Sequence, residues 1–600
     1  MPQALLPDSD SHEDFTWLFR NASVFDLPAE DYLQLDFGDI LGTTPPPPQV
    51  SSPVPEDSRD NALGPSEYQK LVIECPEVLV SALSNHSTVT QVLKLAVDYC
   101  DVYLPFFHRP TLNLGSSPPL LILSLCGLGM FLSGWPSAKQ TGSMLQKHVW
   151  RRSAEMAFSS PRVELWLLQA MILFGHISTY ALSRHEHEMA EISHGVVVTL
   201  ARRNDLLAAS FRSDSAPRQS LDERWREWAQ RESVIRLAHT IFMDDVQSTI
   251  YFTHLATVSV GMMKLPLPSC PSLWQAPTAA LWEAQMQQTK RSNRSKYYSV
   301  HKSVEALSSI RDPEMKREFL QRFGSSNPLA LNILIHGVAS AIGDDKYRTI
   351  STSSSLATRL LKVSDFGEAL AHWKECFDRL PETDQNSPTS WVSILMYHFA
   401  AVLLRNNISD VQMAAGSAFS FGRTVTPQRA QEAYARLIGA EPVSQETYLH
   451  GLEIVRLCLQ RPEASPVAHD SAPPPLWQTY CAFLGTLVIW AYTVGLENSG
   501  KEKIKLVNAA LRPLPQTLGV VDLEMATDDR AGKVLAVMFE RVLDQPEVGL
   551  RELQAIRNDL GVLIDVVHGR LEASTWDISS EARRILRSLK EREESSPPQR

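Results

Sequence analysis

The clearest amphipathic pattern in the chain lies between residues 221 and 246. Apolar residues recur there at steps of three, four and seven, which places them on one face of an α-helix. They are Leu221, Trp225, Trp228, Ile235, Ala238, Phe242 and Val246. Glu232 lies on or beside this face, four residues before Arg236, so the two side chains can meet on the helix surface. The sequence therefore predicts a partly buried structural ion pair there, and not a catalytic carboxylate.

Apolar runs of helical character continue through most of the chain after residue 66. They cover residues 92–103, 165–207, 389–404, 428–438, 446–458, 476–496, 533–542 and 550–567. Residues 120–135 and 476–496 carry no charge, but the first run is short, and the second contains polar side chains and has no basic cluster close to its ends. Both are predicted to be buried core helices. Alternating strand patterns are scarce, so the predicted fold class is all-α.

The first 66 residues have a different pattern, in which aromatic and acidic side chains are mixed. Twelve acidic residues and only two arginines occur up to residue 60, and a proline-rich tether, PPPPQVSSPVPEDS, ends the segment. This composition is typical of a disordered activation segment, whose charges keep apolar groups in solvent until a partner's groove accepts them. The groups predicted to bind are Phe15, Trp17, Leu18, Phe19, Phe25, Leu33, Leu35 and Phe37. The alternative is a variable tail without a binding role.

Three regions follow from these patterns. Residues 1–66 are predicted to be the disordered acidic and aromatic segment with its tether. Residues 67–345 are predicted to form one helical domain, and residues 346–600 a C-terminal helical region that packs on it or continues it. The division near residue 345 depends on the polar stretch ISTSSSLATR. No repeat of fixed period is found.

The net charge and its distribution narrow the classes of function that fit this sequence. The 600 residues carry a net charge of -11, which argues against a protein that coats nucleic acid through its overall charge. The densest basic cluster, Lys290, Arg291, Arg294 and Lys296, is a candidate nuclear import signal. A second basic stretch, residues 583–592, alternates with glutamates and fits a solvated helix face equally well.

The seven cysteines are odd in number, and the closest two, Cys458 and Cys481, are 23 residues apart. This spacing favours a reduced, intracellular compartment, and the amino-terminal residues lack the pattern of a signal peptide. It also prevents a binuclear zinc cluster or a classical zinc finger from forming within this sequence. No metal, cofactor or DNA-binding residue is therefore predicted in the chain.

Two motifs resemble enzyme sites and fail on inspection. GLENSGKE, residues 495–502, has the glycine and lysine spacing of a phosphate-binding loop, but Glu502 stands where a magnesium-binding Ser or Thr belongs. HEHEMAEISH, residues 185–194, lacks the HExxH spacing of a zinc protease, and His187, Glu191 and His194 are predicted to form a solvated polar face. The chain is therefore predicted not to be an enzyme.

Five segments together resemble the helical regulatory domain of fungal transcription factors. They are YLPFFHRPTL from residue 103 with the apolar helix after it, HGVVVTLARRNDLL from 194, RWREWAQRESVIRLAHTIFMDDVQSTIYF from 224, LPLPSCPSLWQAPTAALWEA from 265 and PPPLWQTYCAFLGTLVIWAY from 473. The third is the most specific. The fifth is similar to members that carry classical zinc fingers, and an acidic stretch such as DFTWLF also suits that subgroup. The resemblance covers about residues 95–590.

The resemblance implies a nuclear regulator of RNA polymerase II transcription, an activator or coregulator acting through protein contacts. Its implied partners are coactivators or DNA-binding proteins, and it would reach DNA through them or through a zinc module upstream of this sequence. No membrane partner is expected, a homodimer is left open, and a metabolic or secondary-metabolite gene set is a common target of such regulators. The alternative is a cytoplasmic helical scaffold whose acidic tail is incidental.

Overall fold

Helices account for nearly all the regular structure in this computed structural model. It describes residues 63–76, 83–207, 220–292, 299–310, 312–323, 327–351, 356–420, 422–439, 443–460, 474–498, 530–543, 550–573 and 576–595. All of them belong to one compact unit, Val54–Arg600. The predicted activation segment lies outside the described residues.

The first eleven helices are α1 (Pro65–Glu74), α2 (His86–Tyr103), α3 (Pro119–Ser133), α4 (Ala138–Ser159), α5 (Leu165–Ala181), α6 (Arg184–Arg203), α7 (Leu221–Tyr251), α8 (Pro271–Trp274), α9 (Ala279–Ser292), α10 (Val300–Ser309) and α11 (Pro313–Phe323). The others are α12 (Pro328–Ser351), α13 (Leu356–Asp378), α14 (Glu382–Gln385), α15 (Pro388–Arg405), α16 (Ile408–Ala415), α17 (Pro427–Ile438), α18 (Gln445–Gln460), α19 (Gln478–Asn498), α20 (Arg530–Leu543), α21 (Leu550–Ala573) and α22 (Asp577–Ser595). Short antiparallel strands β1 (Phe419–Ser420) and β2 (Arg423–Thr424) separate α16 from α17. The predicted all-α fold class is confirmed.

Side-chain caps explain where several helices begin. Ser220 and Glu223 form a reciprocal capping box at the start of α7, in which each side chain accepts a hydrogen bond from the other residue's backbone N–H. Ser183 caps α6 by accepting from the N–H of Glu186. The helical run predicted over residues 165–207 is therefore two helices, because the chain breaks between α5 and α6 to form this cap.

The amino-terminal helices pack around α3 and α5, which are apolar on nearly every face. A helix of that kind must be covered on all sides, and α3 contacts α2, α4 and α5. Gly129 of α3 lies directly against the backbone of α2, where an added methyl group would overlap the carbonyl of Val92. The glycine thus permits a closer helix crossing than any other residue.

The carboxy-terminal helices pack around α19. Among the described residues, α19 is the one helix long and apolar enough to cross a membrane, but 89% of its most apolar window is buried inside the protein. It packs against α18 and α21, and Gly451 of α18 faces Gly485 of α19 where these helices cross. This burial is what the prediction of a core helix requires.

Helices from both sides of residue 345 are in contact. Helix α12 continues through that position, and it packs against α7 before it in the chain and against α13 and α15 after it. Helix α15 also contacts α2. The boundary between residues 345 and 346 stays a prediction.

Candidate functional site

Three of the five resembling segments meet on one side of α7, in a cluster that we call the junction. It consists of Glu232, Arg236, His108, Ser269, Trp225, Trp228, Trp274 and Trp282. The His108 ring lies edge-on to Trp274, with centroids 4.7 Å apart, and edge-on to Trp225 at 5.6 Å. Trp228 contacts Trp282 at 5.5 Å. The loop before α3, the start of α7 and the loop around α8 are therefore held together by aromatic rings.

The predicted pair of Glu232 and Arg236 lies at the centre of the junction. Nε of Arg236 donates to Oε1 of Glu232 at 2.8 Å, and the two side chains are 4% and 6% exposed. Both residues also bind the backbone of Ser269. Arg236 donates to the Ser269 carbonyl oxygen at 3.0 Å, and the Ser269 N–H donates to Oε1 of Glu232 at 2.9 Å. The guanidinium carbon lies 4.1 Å from the centre of the Trp274 ring.

The electrostatics of the junction are those of a fixed structural pair. Burial lowers the pKa of Arg236 from its ordinary value, and the neighbouring Glu232 carboxylate opposes that shift. Burial lowers the pKa of His108 to about 4, and the neighbouring Arg236 adds to that shift. Near neutral pH His108 is uncharged, and it lies beside an arginine whose positive charge is balanced by Glu232. A buried pair with this many fixed partners holds the surrounding loops in place.

The second resembling segment is tied to α7 through His194. Its Nε2 lies 2.9 Å from Oδ1 of Asp245, and that carboxylate also accepts hydrogen bonds from the N–H groups of Thr257 and Val258. Burial alone raises the pKa of Asp245, but these partners outweigh it and leave the pKa below its ordinary value. The loop after α7 is thus fixed to an ionised carboxylate.

The fifth segment reaches the amino-terminal helices through Trp477. Its ring lies edge-on to Tyr103, with centroids 5.6 Å apart, and the N–H of Leu476 donates to the Tyr99 hydroxyl at 3.4 Å. The same hydroxyl lies 2.9 Å from Nε2 of His176. All five segments are therefore linked through α2 and α7.

The histidine-rich start of α6 is not the solvated face that the sequence predicted. His187 is buried, its Nδ1 lies 3.0 Å from the carbonyl oxygen of Thr179, and burial lowers its pKa to about 4. Glu191 lies 3.6 Å from His254, and His194 binds Asp245. The prediction was wrong for His187 because α6 turns that side chain toward the core. Among the described residues no group of three or more His, Cys, Asp or Glu can hold a metal ion.

Several predicted sites fall partly or wholly beyond the described part of the chain. Phe15, Trp17, Leu18, Phe19, Phe25, Leu33, Leu35 and Phe37 lie outside it, as do Arg294, Lys296, Gly500 and Lys501. Lys290 and Arg291 belong to the last turn of α9, and only their backbone is described. The import signal and the activation segment stay predictions.

The basic residues of α22 bind neighbouring groups of the same chain. Lys590 donates to the carboxylate of Asp565 at 2.7 Å, and Arg584 donates to the Gly416 carbonyl at 3.0 Å. Arg583 pairs with Glu572 at 3.8 Å. These contacts place the second basic stretch in the packing of α22 on its surroundings.

Sequence reasoning found the pair of Glu232 and Arg236 but missed its contact with Ser269, and it also missed the contact between His194 and Asp245. Ser269 bonds through its backbone, which no side-chain pattern reveals. Asp245 lies 51 residues after its histidine partner. Spacing on one helix reveals pairs within that helix, whereas contacts between distant segments need the folded chain. The resembling segments were the one available signal, since both partners lie inside them.

Comparison with known proteins agrees with this arrangement. The family model of the fungal specific transcription factor domain matches residues 94–375, a span that contains the whole junction. The "Nicotinate catabolism cluster-specific transcription factor" of Emericella nidulans is 24% identical over 500 residues, which are 78% of this chain and 54% of that protein. The "Zinc finger protein zas1" of Schizosaccharomyces pombe is 22% identical over 509 residues, 81% of this chain and 51% of that protein.

A further relative is the "Zinc finger protein klf1" of Schizosaccharomyces pombe, 21% identical over 403 residues, 65% of this chain and 49% of that protein. The chain spans about half the length of these curated relatives. No solved structure matches. The predicted family resemblance is confirmed by this match, in which residues 94–375 correspond to the fungal specific transcription factor domain.

Proposed function

We propose that this protein regulates RNA polymerase II transcription in the nucleus, as an activator or coregulator that works through protein contacts and not as an enzyme. The observation that carries the proposal is the family match over residues 94–375. The junction supports it, because the residues that carried the family resemblance meet around one buried ion pair. Such a clamp suits a rigid body that presents other parts of the chain to partners.

The activating element in this proposal is the acidic and aromatic segment. Phe15, Trp17, Leu18 and Phe19 would enter an apolar groove of a coactivator, and the surrounding carboxylates would speed association with a basic surface. Phe25, Leu33, Leu35 and Phe37 would add further anchors. The supporting observation is the composition of the segment, with a charge of about -10 up to residue 60.

A tethered reporter assay tests activation directly. The full chain is fused to a heterologous DNA-binding domain in a fungal host, and reporter output is compared with that of residues 63–600. The double substitution Trp17→Ala and Phe19→Ala is expected to reduce output at least fivefold, because truncating aromatic anchors removes the contacts that dominate such interfaces. The matched control is Leu5→Ala and Leu6→Ala, which removes two apolar side chains from the same tail outside the acidic stretch.

Two results would contradict this part of the proposal. One is full output from the Trp17 and Phe19 variant at equal protein level, which would leave the segment an incidental tail. The other is exclusion of the tagged native protein from the nucleus under all growth conditions, which would favour a cytoplasmic scaffold. Alanines at Lys290, Arg291, Arg294 and Lys296 test the import signal, with loss of nuclear fluorescence expected.

The route to DNA is the second part of the proposal. We propose that the protein reaches promoters through a DNA-binding partner or through a zinc module that lies outside this sequence. Two of the relatives carry the name zinc finger protein, and the chain spans about half of each. Peptide mass spectrometry of the native amino terminus, together with mapping of the transcript's 5′ end, separates the two routes. Translated zinc-ligand codons upstream would assign direct DNA binding, and their absence would assign the partner.

A further inference from the structure

The carboxy-terminal half of α7 lines a small pocket that the junction does not include. Its walls come from the end of α2, from α7, from α12, from α15 and from the segment before α19. The polar side chains that line it are Tyr103, Asp244, Gln247, Asn332 and Trp477. The innermost space is about 10 Å³, which accommodates one water-sized group, within a concavity of about 360 Å³ counted out to solvent. We call it the acceptor pocket.

The orientation of the Gln247 amide is fixed by a hydrogen-bond chain. Nδ1 of His336 lies 2.7 Å from the carbonyl oxygen of Asn332, which can only accept, so Nδ1 carries a hydrogen. Burial lowers the pKa of His336 to about 4, so near neutral pH the ring is uncharged and its Nε2 accepts. Nε2 of Gln247 donates to that atom at 3.1 Å. Oε1 of Gln247 is therefore left as an acceptor.

The acceptor pocket concentrates polar atoms that have no partner among the described residues. Oε1 of Gln247 and Oδ1 of Asn332 are both buried and unpartnered, on side chains that are 4% and 6% exposed. Nε1 of Trp477, on a residue 2% exposed, is an unpartnered donor. An unpartnered buried polar group costs about 1–3 kcal/mol, so a ligand that supplied partners to these three atoms would offset part of that cost.

Asp244 adds a negative charge to this set. It is half-buried in the pocket wall, next to Asp245 on the same helix, with His194 of α6 and Tyr180 of α5 near it. Burial raises the pKa of Asp244 to about 7, His194 opposes that shift and Asp245 adds to it. No described hydrogen-bond donor compensates this carboxylate. The pocket wall thus contains two unpartnered carbonyl oxygens, a carboxylate and one unpartnered indole N–H.

We propose that the acceptor pocket binds the protonated amino group of a small molecule, with Asp244, Gln247 and Asn332 as its hydrogen-bond acceptors. An ammonium group has three N–H donors and no acceptor, which matches the three side chains. It is about the size of a water molecule, and the half-exposed Val102 and Asp244 mark the side open to solvent, where the rest of the molecule lies.

Two other occupants fit less well. A water molecule satisfies the amide oxygens but leaves the Asp244 charge unneutralised. A hard metal cation takes six to eight oxygen ligands, which is more than the side chains of this pocket supply. The inference concerns binding by the purified protein, so it does not depend on the transcriptional role proposed above.

Calorimetry and thermal unfolding of the full chain test the inference at pH 8. Propylammonium chloride represents an organic amine, and ammonium chloride represents the free ion. Sodium chloride at equal ionic strength and propanol control for salt and for the propyl group. We expect saturable heat and a rise in melting temperature with an ammonium probe and with neither control. An equal response to sodium chloride or propanol, or no saturable response to either ammonium probe, would overturn the proposal.

Variants and pH locate the binding group. Asp244→Asn is expected to weaken probe binding at least tenfold, whereas the matched control Asp222→Asn, exposed near the start of the same helix, leaves it unchanged. Wild-type affinity should rise about tenfold from pH 6 to pH 8, because the carboxylate pKa near 7 makes its ionised fraction rise by that factor. Unchanged affinity in Asp244→Asn overturns the assignment. If that variant does not fold, a wild-type affinity that is flat between pH 6 and pH 8 does so.

Discussion

The junction and the acceptor pocket lie on the same helix and differ in how far a charged group is compensated by its neighbours. Arg236 and Asp244 are eight residues apart on α7, about 12 Å along the axis. At the junction, Glu232, the Ser269 backbone and the Trp274 ring all contact the guanidinium or its partner. At the pocket, the two amide oxygens have no partner among the described residues, and burial of the Asp244 carboxylate outweighs the effect of His194.

This difference separates a structural role from a binding role. A buried charge with complete partners contributes to holding loops in place, and its removal is costly because the remaining partner is left uncompensated. A buried acceptor without a partner weakens the fold, and a ligand that supplies the partner offsets that cost. The two sites therefore predict opposite signs of effect for removing a carboxylate from α7.

The largest effect is expected at the junction. Glu232→Ala leaves Arg236 buried without its counter-charge and leaves the Ser269 N–H without an acceptor. We expect the free energy of unfolding to fall by about 3–5 kcal/mol, measured by urea denaturation. The double variant Glu232→Gln with Arg236→Met removes both charges and should recover part of the loss. A single variant that loses less than about 1 kcal/mol would show that solvent compensates this pair.

At the pocket the expected change is smaller and of opposite sign. The pKa of Asp244 lies near 7 in the folded protein and near 3.8 when unfolded. As pH rises from about 4 to 7, the unfolded chain loses the proton while the folded chain keeps it, so wild-type stability falls. Asn does not titrate. Asp244→Asn should therefore raise the free energy of unfolding by about 2 kcal/mol at pH 8 and by less than half of that at pH 5.

The measurement is urea denaturation of both proteins at the two pH values, without amines in the buffer. Asp222→Asn serves as the control, since it makes the same substitution at an exposed position of the same helix. A destabilised Asp244→Asn at pH 8 would mean that the carboxylate has a compensating partner, and the contrast between the two sites would disappear.

The aromatic wall of the junction gives the third effect. Trp274→Phe keeps a ring beside Arg236 but weakens its attraction for the guanidinium, so a loss of about 1 kcal/mol is expected. Trp282→Phe is the matched control, because Trp282 is a similarly buried ring of the junction and no guanidinium of the described residues lies over it. Equal losses in the two variants, by urea denaturation, would assign the effect to packing volume alone.

Much of this fold follows from the sequence, since helices with one apolar face have a visible period. The predicted run over residues 428–438 corresponds to α17, Pro427–Ile438, and the run over 550–567 to α21, Leu550–Ala573. The pattern failed between residues 165 and 207, where α5 is apolar on all faces and α6 follows it after a short cap. Periodicity reveals a break only where a face changes, and here the cap residue Ser183 carried the signal.

The junction and the acceptor pocket also differ in how far the sequence predicts them. Glu232 and Arg236 are four residues apart, so their meeting follows from helix geometry. The acceptor pocket combines residues from four helices and the segment before α19, and no spacing in the sequence brings Asp244 near Asn332 or Trp477. Its recognition depends on an absence of partners, which exists only in the folded chain. Sequence patterns thus found the compensated charge and missed the uncompensated one.

The smallest effect is expected for an exposed pair with the same spacing as the junction pair. Asp222 and Arg226, at the start of α7, are 2.7 Å apart, and their side chains are 56% and 59% exposed. Water screens this pair, so Asp222→Ala should change the free energy of unfolding by no more than about 0.5 kcal/mol, and 1 M salt should remove most of that change. The same salt should leave the Glu232→Ala effect nearly unchanged, because the junction pair is screened from solvent. A salt response of equal size at both pairs would mean that burial does not distinguish them. The contrast between a compensated charge at the junction and an uncompensated one at the acceptor pocket would then lose its support.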